Sequence, residues 1–240
     1  MAGKFRRICR RLGFDVGRYP GFAEHWPRLV AMLERHGITL VLDVGANAGQ
    51  YATALIHNGY RGRIVSYEPT QAAHAAAVRA AAAHPDWRVA ERAAVGERPG
   101  EVEVNVSPES DMSSLLPMTA EAQRWLSSAR YAGKERVPMV TLAAELPRVA
   151  QAGDRVFVKS DTQGYEAQVL DGLGDGIERI EGVQLELSMA PVYESQPHYL
   201  ELLERLEALG FTAHMIVPGY YNRNYGRMLE FDVVCFREPR

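Results

Sequence analysis

Cysteine is scarce in this chain and long apolar runs are missing. Its two cysteines, Cys9 and Cys235, lie far apart in 240 residues. That number and spacing give neither a metal knuckle nor a disulfide framework, so a reducing compartment is expected. No stretch approaches the roughly 18 consecutive apolar residues of a membrane span. Neither sign of charge dominates: 27 Lys and Arg against 30 Asp and Glu leave a formal net charge of -3. The bulk electrostatic case for a nucleic-acid partner is therefore absent. None of the seven histidines has the spacing of a ligand set, and no metal site is expected. What remains is an ordinary composition, 47% hydrophobic and 24% charged, in a length suited to one domain with a core that needs no staples.

The first residues are locally basic. Lys4, Arg6, Arg7, Arg10, Arg11 and Arg18 interleave with Phe5, Ile8, Leu12 and Phe14. No continuous apolar segment follows the charges, as a secretion signal would require, and a cytoplasmic location is expected. Three readings stand: a solvated leading helix, a surface for peripheral contact with anionic lipid, or a lid over an anionic substrate. The expected organisation is an extension over residues 1–37 and a main domain over 38–240, with an insertion at about 97–153.

Apolar, β-rich runs at residues 38–44, 63–67 and 87–95 alternate with helical patterns at 50–58 and 71–83. Such β-α-β-α-β spacing requires right-handed crossovers and a parallel sheet. The rhythm breaks after Gly96, where Val102, Val104 and Val106 suggest an extra strand and residues 137–142 another. It resumes with a strand at 156–160, a helix at 166–173, a strand at 182–187 and a helix at 200–209. Strands at 212–217 and 231–236 close the chain as a hairpin. The fold class is a doubly wound α/β domain.

Asp43-Val-Gly45-Ala-Asn47-Ala-Gly49 lies where the first strand meets the first helix. Glycines there let backbone approach a ligand, and a helix N-terminus offers free N–H groups. Asp43 would repel a pyrophosphate but attract an ammonium, and the third glycine of a dinucleotide loop is missing. Glu68 ends the second strand at the spacing of a carboxylate that accepts ribose hydroxyls. A ligand with a ribose, a cation and no phosphate fits S-adenosylmethionine better than NAD. Lys159 and Asp161 end the fourth strand and Glu186 the fifth, at the crevice edge of such a sheet, where they form an acid/base group. The alternative for these residues is a structural ion pair of Lys159 with Asp161 or Glu166. Ser113 and Ser114 follow Asp111 in a polar loop and either cap backbone or touch a ligand. Tyr220, Tyr221, Asn222 and Arg227, with Asn224 and Tyr225, crowd the last loop. They suit a sugar-like acceptor, or packing of the hairpin on its own domain or in a homodimer.

These motifs, taken in order, resemble the FkbM family of S-adenosylmethionine-dependent methyltransferases. The matching residues include Val41 to Tyr51, Tyr67-Glu68-Pro69, Ala93-Ala94-Val95-Gly96, Ser113-Ser114-Leu115, Lys159 to Glu166, Gln184 to Ser188, Pro191 to Glu194 and Gly226 to Asp232. The resemblance implies a class I methyltransferase (Rossmann-like) fold, seven strands with the last antiparallel. It implies that Asp43, Gly45, Asn47 and Gly49 hold the methionine end of S-adenosylmethionine, Glu68 the ribose, and Ala93 and Ala94 the adenine. It brings Ser113 and Ser114 beside the cofactor, which leaves as S-adenosylhomocysteine. It further implies O-methylation of a hydroxyl on a sugar, glycolipid or secondary metabolite. An alcohol needs a base nearby, and of the two strand-end carboxylates Asp161 is preferred to Glu186; the same pair could hold Mg²⁺, though no divalent metal is expected. The competing readings are a non-catalytic protein that binds this cofactor and an NAD-binding Rossmann-like protein. Two positions depart from the family pattern: Ser160, where an apolar residue is commoner, and Gln163, where an acid often stands.

Overall fold

Leu-Val-Leu-Asp-Val at 40–44 and Val-Phe-Val-Lys-Ser at 156–160 are buried at every position. Such strands belong in the middle of a parallel sheet covered on both faces. A computed structural model describes residues 25–108, 112–125, 131–223 and 226–238. The basic residues 4–18, Asp111, Asn224 and Tyr225 lie outside the described residues. The elements begin with α1 (His25–Arg35), β1 (Leu40–Val44), α2 (Gln50–His57), β2 (Arg63–Tyr67), α3 (Gln71–Ala81) and β3 (Trp87–Val89). Then come β4 (Ala94–Val95), β5 (Gly100–Val106), α4 (Ala120–Trp125), β6 (Gly133–Val140) and α5 (Leu142–Val149). After β7 (Val156–Ser160), α6 (Glu166–Asp171) and a 3-10 helix (Gly174–Arg179) lead to β8 (Ile180–Ser188). The chain ends with α7 (Tyr199–Ala208), β9 (Phe211–Pro218), β10 (Tyr221–Asn222), β11 (Arg227–Met228) and β12 (Glu230–Arg237).

The main sheet has seven strands in the order β3-β2-β1-β7-β8-β12-β9. β12 runs antiparallel to both of its neighbours and the remaining pairs are parallel. This is the class I methyltransferase arrangement that the resemblance implies. Side chains alternate across the sheet, so each face has its own core. Leu40, Leu42 and Val44 pack with Leu142, Leu146, Val169, Leu202 and Leu206 on one face. Val41 and Phe157 pack with Leu29 and Leu33 of α1 and with Leu55 on the other. Helix α1, which lies in the stretch read as a basic, helical extension, packs its Leu29 and Leu33 into this second core.

The expected third strand at 87–95 divides in two. Trp87–Val89 stays in the main sheet, whereas Ala94–Val95 pairs with β6 in a second sheet of order β4-β6-β5. Between them Arg92 turns outward, donating to Glu135 at 2.9 Å and to the Pro69 carbonyl at 3.0 Å. An apolar run carries no mark of where a strand changes partners, and this turn carries Ala93 and Ala94 to the crevice wall. Among the described residues no helix is long and apolar enough to cross a membrane.

Candidate active site

In parallel strands the carboxyl ends of neighbours in register open onto one crevice. Asp43 on β1 is in register with Ser66 on β2 and Lys159 on β7, and Lys159 with Gln184 on β8. A polar row therefore crosses the centre of the sheet. Ser66 Oγ donates to Asp43 Oδ2 at 2.9 Å, and Lys159 Nζ lies 3.3 Å from Asp43 Oδ1. The same amine donates to the Gly45 carbonyl at 2.9 Å and lies 3.6 Å from Asp161 Oδ2. Burial works against the Lys159 charge, but Asp161 and Asp43 overcome it and hold the amine protonated well above the usual lysine range. Asp43 itself is fully enclosed and lies on neither cavity described below.

The strand ends meet closely because of Gly45. Its φ is +73°, and a Cβ there would fall 1.8 Å from the Asp161 carbonyl oxygen. Asp161 N donates to the Val44 carbonyl at 3.1 Å, which ties the two ends together. Gly49, at φ +88°, serves packing, since a Cβ there would fall 2.5 Å from the Trp87 ring. A further left-handed residue, Asn47 at φ 47°, turns the loop so that its backbone N–H donates to Glu68 Oε2 at 2.9 Å. Glu68 Oε1 accepts from Thr70 N at 2.8 Å and Thr70 Oγ1 at 2.6 Å. Burial raises the Glu68 carboxyl above its usual range, opposed by the bonds from Thr70 and Asn47.

A first cavity opens beside this loop. Glu68, Ala93, Ala94, Ser113, Ser114 and Asp161 are on its wall together with Gly45 and Asn47. The resemblance groups these residues around one cofactor, and a few bonds enforce the grouping. Ser114 exchanges backbone bonds with Asn105 of β5 and donates from Oγ to the Gln163 carbonyl at 2.6 Å. Ser113 Oγ accepts from Ser107 N at 3.1 Å. A second cavity lies on the other side of Gly45 and Asn47. Trp26 of α1, Gln50, Tyr51, Gln184 and Asp232 line it, and Asp161 borders both cavities. Tyr51 donates from its hydroxyl to Gln184 Oε1 at 2.9 Å. Asp232 is raised to about 6, first by burial and then by the Asp161 charge. Trp26, Tyr51 and Asp232 were not singled out from the sequence. Only their place in the folded sheet brings them together.

The remaining candidates lie apart. Glu186 lines neither cavity but accepts from Gln163 Nε2 at 2.5 Å. Tyr220 and Tyr221 are exposed, Asn222 is buried, and Arg227 donates to the Met189 carbonyl at 2.7 Å. None of these four is on the wall of either cavity. Glu166 accepts from Thr162 N at 2.8 Å, Thr162 Oγ1 at 3.0 Å and Gly164 N at 3.3 Å, so it builds the loop after β7.

The charges on the first cavity decide what it suits. Its ionisable wall consists of Glu68, Asp161 and the neutral Tyr67, with no lysine or arginine among the described residues. Asn47 Oδ1 is buried there with no partner among them. A pyrophosphate would meet two carboxylates and no cation, whereas hydroxyl and ammonium donors would be accepted. S-adenosylmethionine fits this donor-seeking wall. The model of the methyltransferase FkbM domain matches residues 43–213. The chain belongs to the FkbM methyltransferase family.

The matched domain is a methyltransferase domain, and methyl transfer is the chemistry of that family. No sequence match to a curated protein was found. Among solved structures, an FkbM methyltransferase from Methylobacillus flagellatus is 13% identical at TM-score 0.49 and covers 83% of this chain. This chain spans 44% of that protein's length. Precorrin-6y C5,15-methyltransferase from Geobacter metallireducens is 11% identical at TM-score 0.44, covering 94% of each chain. TehB from Haemophilus influenzae is 11% identical at TM-score 0.48, covering 92% of this chain and 64% of its own.

Proposed function

We propose that this FkbM-family protein transfers the methyl group to a hydroxyl of a sugar, glycolipid or secondary metabolite, with Asp161 as the base. The observation that carries the reading is the position of Asp161, the one carboxylate on the wall of both cavities among the described residues. The first cavity would hold the cofactor through Glu68, Asn47 and the Ala93-Ala94 wall. Bound S-adenosylmethionine supplies an electrophilic methyl on a sulfonium. The second cavity, with Trp26 and Tyr51 beside Gln50 and Gln184, offers an aromatic surface and amides to a hydroxylated acceptor.

An alcohol needs a proton acceptor as its oxygen attacks, and a positioned carboxylate supplies about 10²–10⁴-fold. Asp161 Oδ2 faces Lys159 Nζ at 3.6 Å, and Oδ1 accepts from Gln163 Nε2 at 3.0 Å. Lys159 is held protonated, so it acts as counter-ion to Asp161 and Asp43 and cannot itself take the proton. Most of the remaining acceleration comes from holding the acceptor oxygen in line.

The test compares Asp161→Asn with the unaltered chain against a panel of neutral glycosides and hydroxylated metabolites, following release of S-adenosylhomocysteine. Turnover should fall at least about 100-fold while S-adenosylmethionine affinity, still supported by Glu68 and Asn47, falls by less than about tenfold. Equal loss of cofactor binding would make Asp161 a cofactor residue and end the proposal.

A further inference from the structure

Gln163 stands between two acids. Its Nε2 donates to Asp161 Oδ1 at 3.0 Å and to Glu186 Oε2 at 2.5 Å. With its Nε2 turned to both acids, the amide's oxygen points away from them and takes a donor of its own. Tyr193 provides that orientation: its hydroxyl donates to Gln163 Oε1 at 2.8 Å. The same hydroxyl is 3.5 Å from the Met112 carbonyl, a much weaker competitor for its one hydrogen. Tyr193 is 1% exposed, and burial keeps its hydroxyl protonated far above the usual tyrosine range. Its position is fixed as well. Gln196 Oε1 accepts from the Val192 and Tyr193 amides at 3.2 and 3.3 Å, and Gln196 Nε2 donates to Ser188 Oγ at 2.8 Å.

The backbone of Gln163 is unusual too. It takes φ 57°, next to Gly164 at φ 97°, a left-handed conformation that a non-glycine residue adopts only when its surroundings demand it. The Ser114 hydroxyl on its carbonyl and the three acceptances of Glu166 around the loop provide that demand.

We propose that Gln163 is a positioning residue: clamped by the Tyr193 hydroxyl, its amide fixes the Asp161 carboxylate at the junction of the two cavities and ties it to Glu186. The inference rests on the reading of Asp161 as the base. Glu186 reports the clamp. Burial holds its carboxyl well above the usual range, and Asp161 and Glu166 on the β7–α6 side with Glu230 and Asp232 on β12 add to the effect. A donated N–H favours the ionised carboxylate and therefore acts against that shift.

The experiment is a pH titration of the full chain by carbon-13 NMR, with Glu labelled at Cδ and the Glu186 signal assigned through Glu186→Gln. Two variants release the clamp. Tyr193→Phe lets the amide turn its oxygen toward the acids, and Gln163→Met removes the amide at similar length. Both should raise the Glu186 midpoint by about one pH unit, the size of a lost hydrogen bond to a carboxylate. An unmoved or lowered midpoint in either overturns the proposal. If Gln163→Met fails to fold, Tyr193→Phe decides alone. The titration needs no acceptor, so it fails independently of the Asp161→Asn turnover test.

Discussion

Asp43 and Lys159 are register partners on adjacent parallel strands, and their side chains meet at 3.3 Å in the middle of the sheet. Their side chains are 0% and 6% exposed. Such a pair stabilises little compared with apolar residues of the same shape, but half of it alone is costly.

Lys159→Met leaves Asp43 charged and enclosed, with Ser66 as its remaining side-chain donor. It should cost about 3–5 kcal/mol. Urea denaturation checks this. Adding Asp43→Leu should recover part of the loss, and a double variant weaker than the single would refute the pairing argument.

Stability should fall as pH rises through the weakly acidic range. Glu166 is raised to about 7, chiefly by burial, and Asp232 to about 6. Each carboxyl binds its proton more tightly when folded than when unfolded. The native state thus carries more protons between the unfolded value near 4.5 and the folded value, and it loses stability as pH climbs across that window. Glu166→Gln removes one such group, so unfolding free energy should drop less between pH 5 and 7, by about 2 kcal/mol. An equally steep decline in the variant would show that Glu166 is not its source.

Gly45→Ala would drive a Cβ into the Asp161 carbonyl at a left-handed position. The ends of β1 and β7 must separate, at a cost above about 2 kcal/mol. Cofactor binding should be lost with it, checked by thermal melts with and without S-adenosylmethionine.

Much of this site could be read from the sequence. The glycine loop announces itself because left-handed backbone and close strand ends need glycine. Glu68 follows at the spacing that a β-α-β unit imposes. Both features are local. The Asp43–Lys159 pair is different, since register between β1 and β7 is set by packing over more than a hundred residues of intervening chain. The second cavity joins Trp26, Tyr51 and Asp232 from opposite ends of the chain, and no spacing rule links them. The break between β3 and β4 depends on Arg92 finding Glu135, which an apolar run does not encode. The terminal hairpin is legible as strands, yet its loop residues Tyr220 and Tyr221 look like sugar binders in sequence and stay off both cavity walls in the structure.

Calorimetry reads directly whether the first cavity takes S-adenosylmethionine. The chain should be titrated with S-adenosylmethionine and S-adenosylhomocysteine, with NAD and NADP in parallel, alongside Glu68→Ala. The sulfur pair alone should bind at micromolar concentration, weakened at least about tenfold in the variant by loss of hydrogen bonds to a charged acceptor. Binding of the nicotinamide cofactors, or of neither pair, would contradict that reading of the cavity.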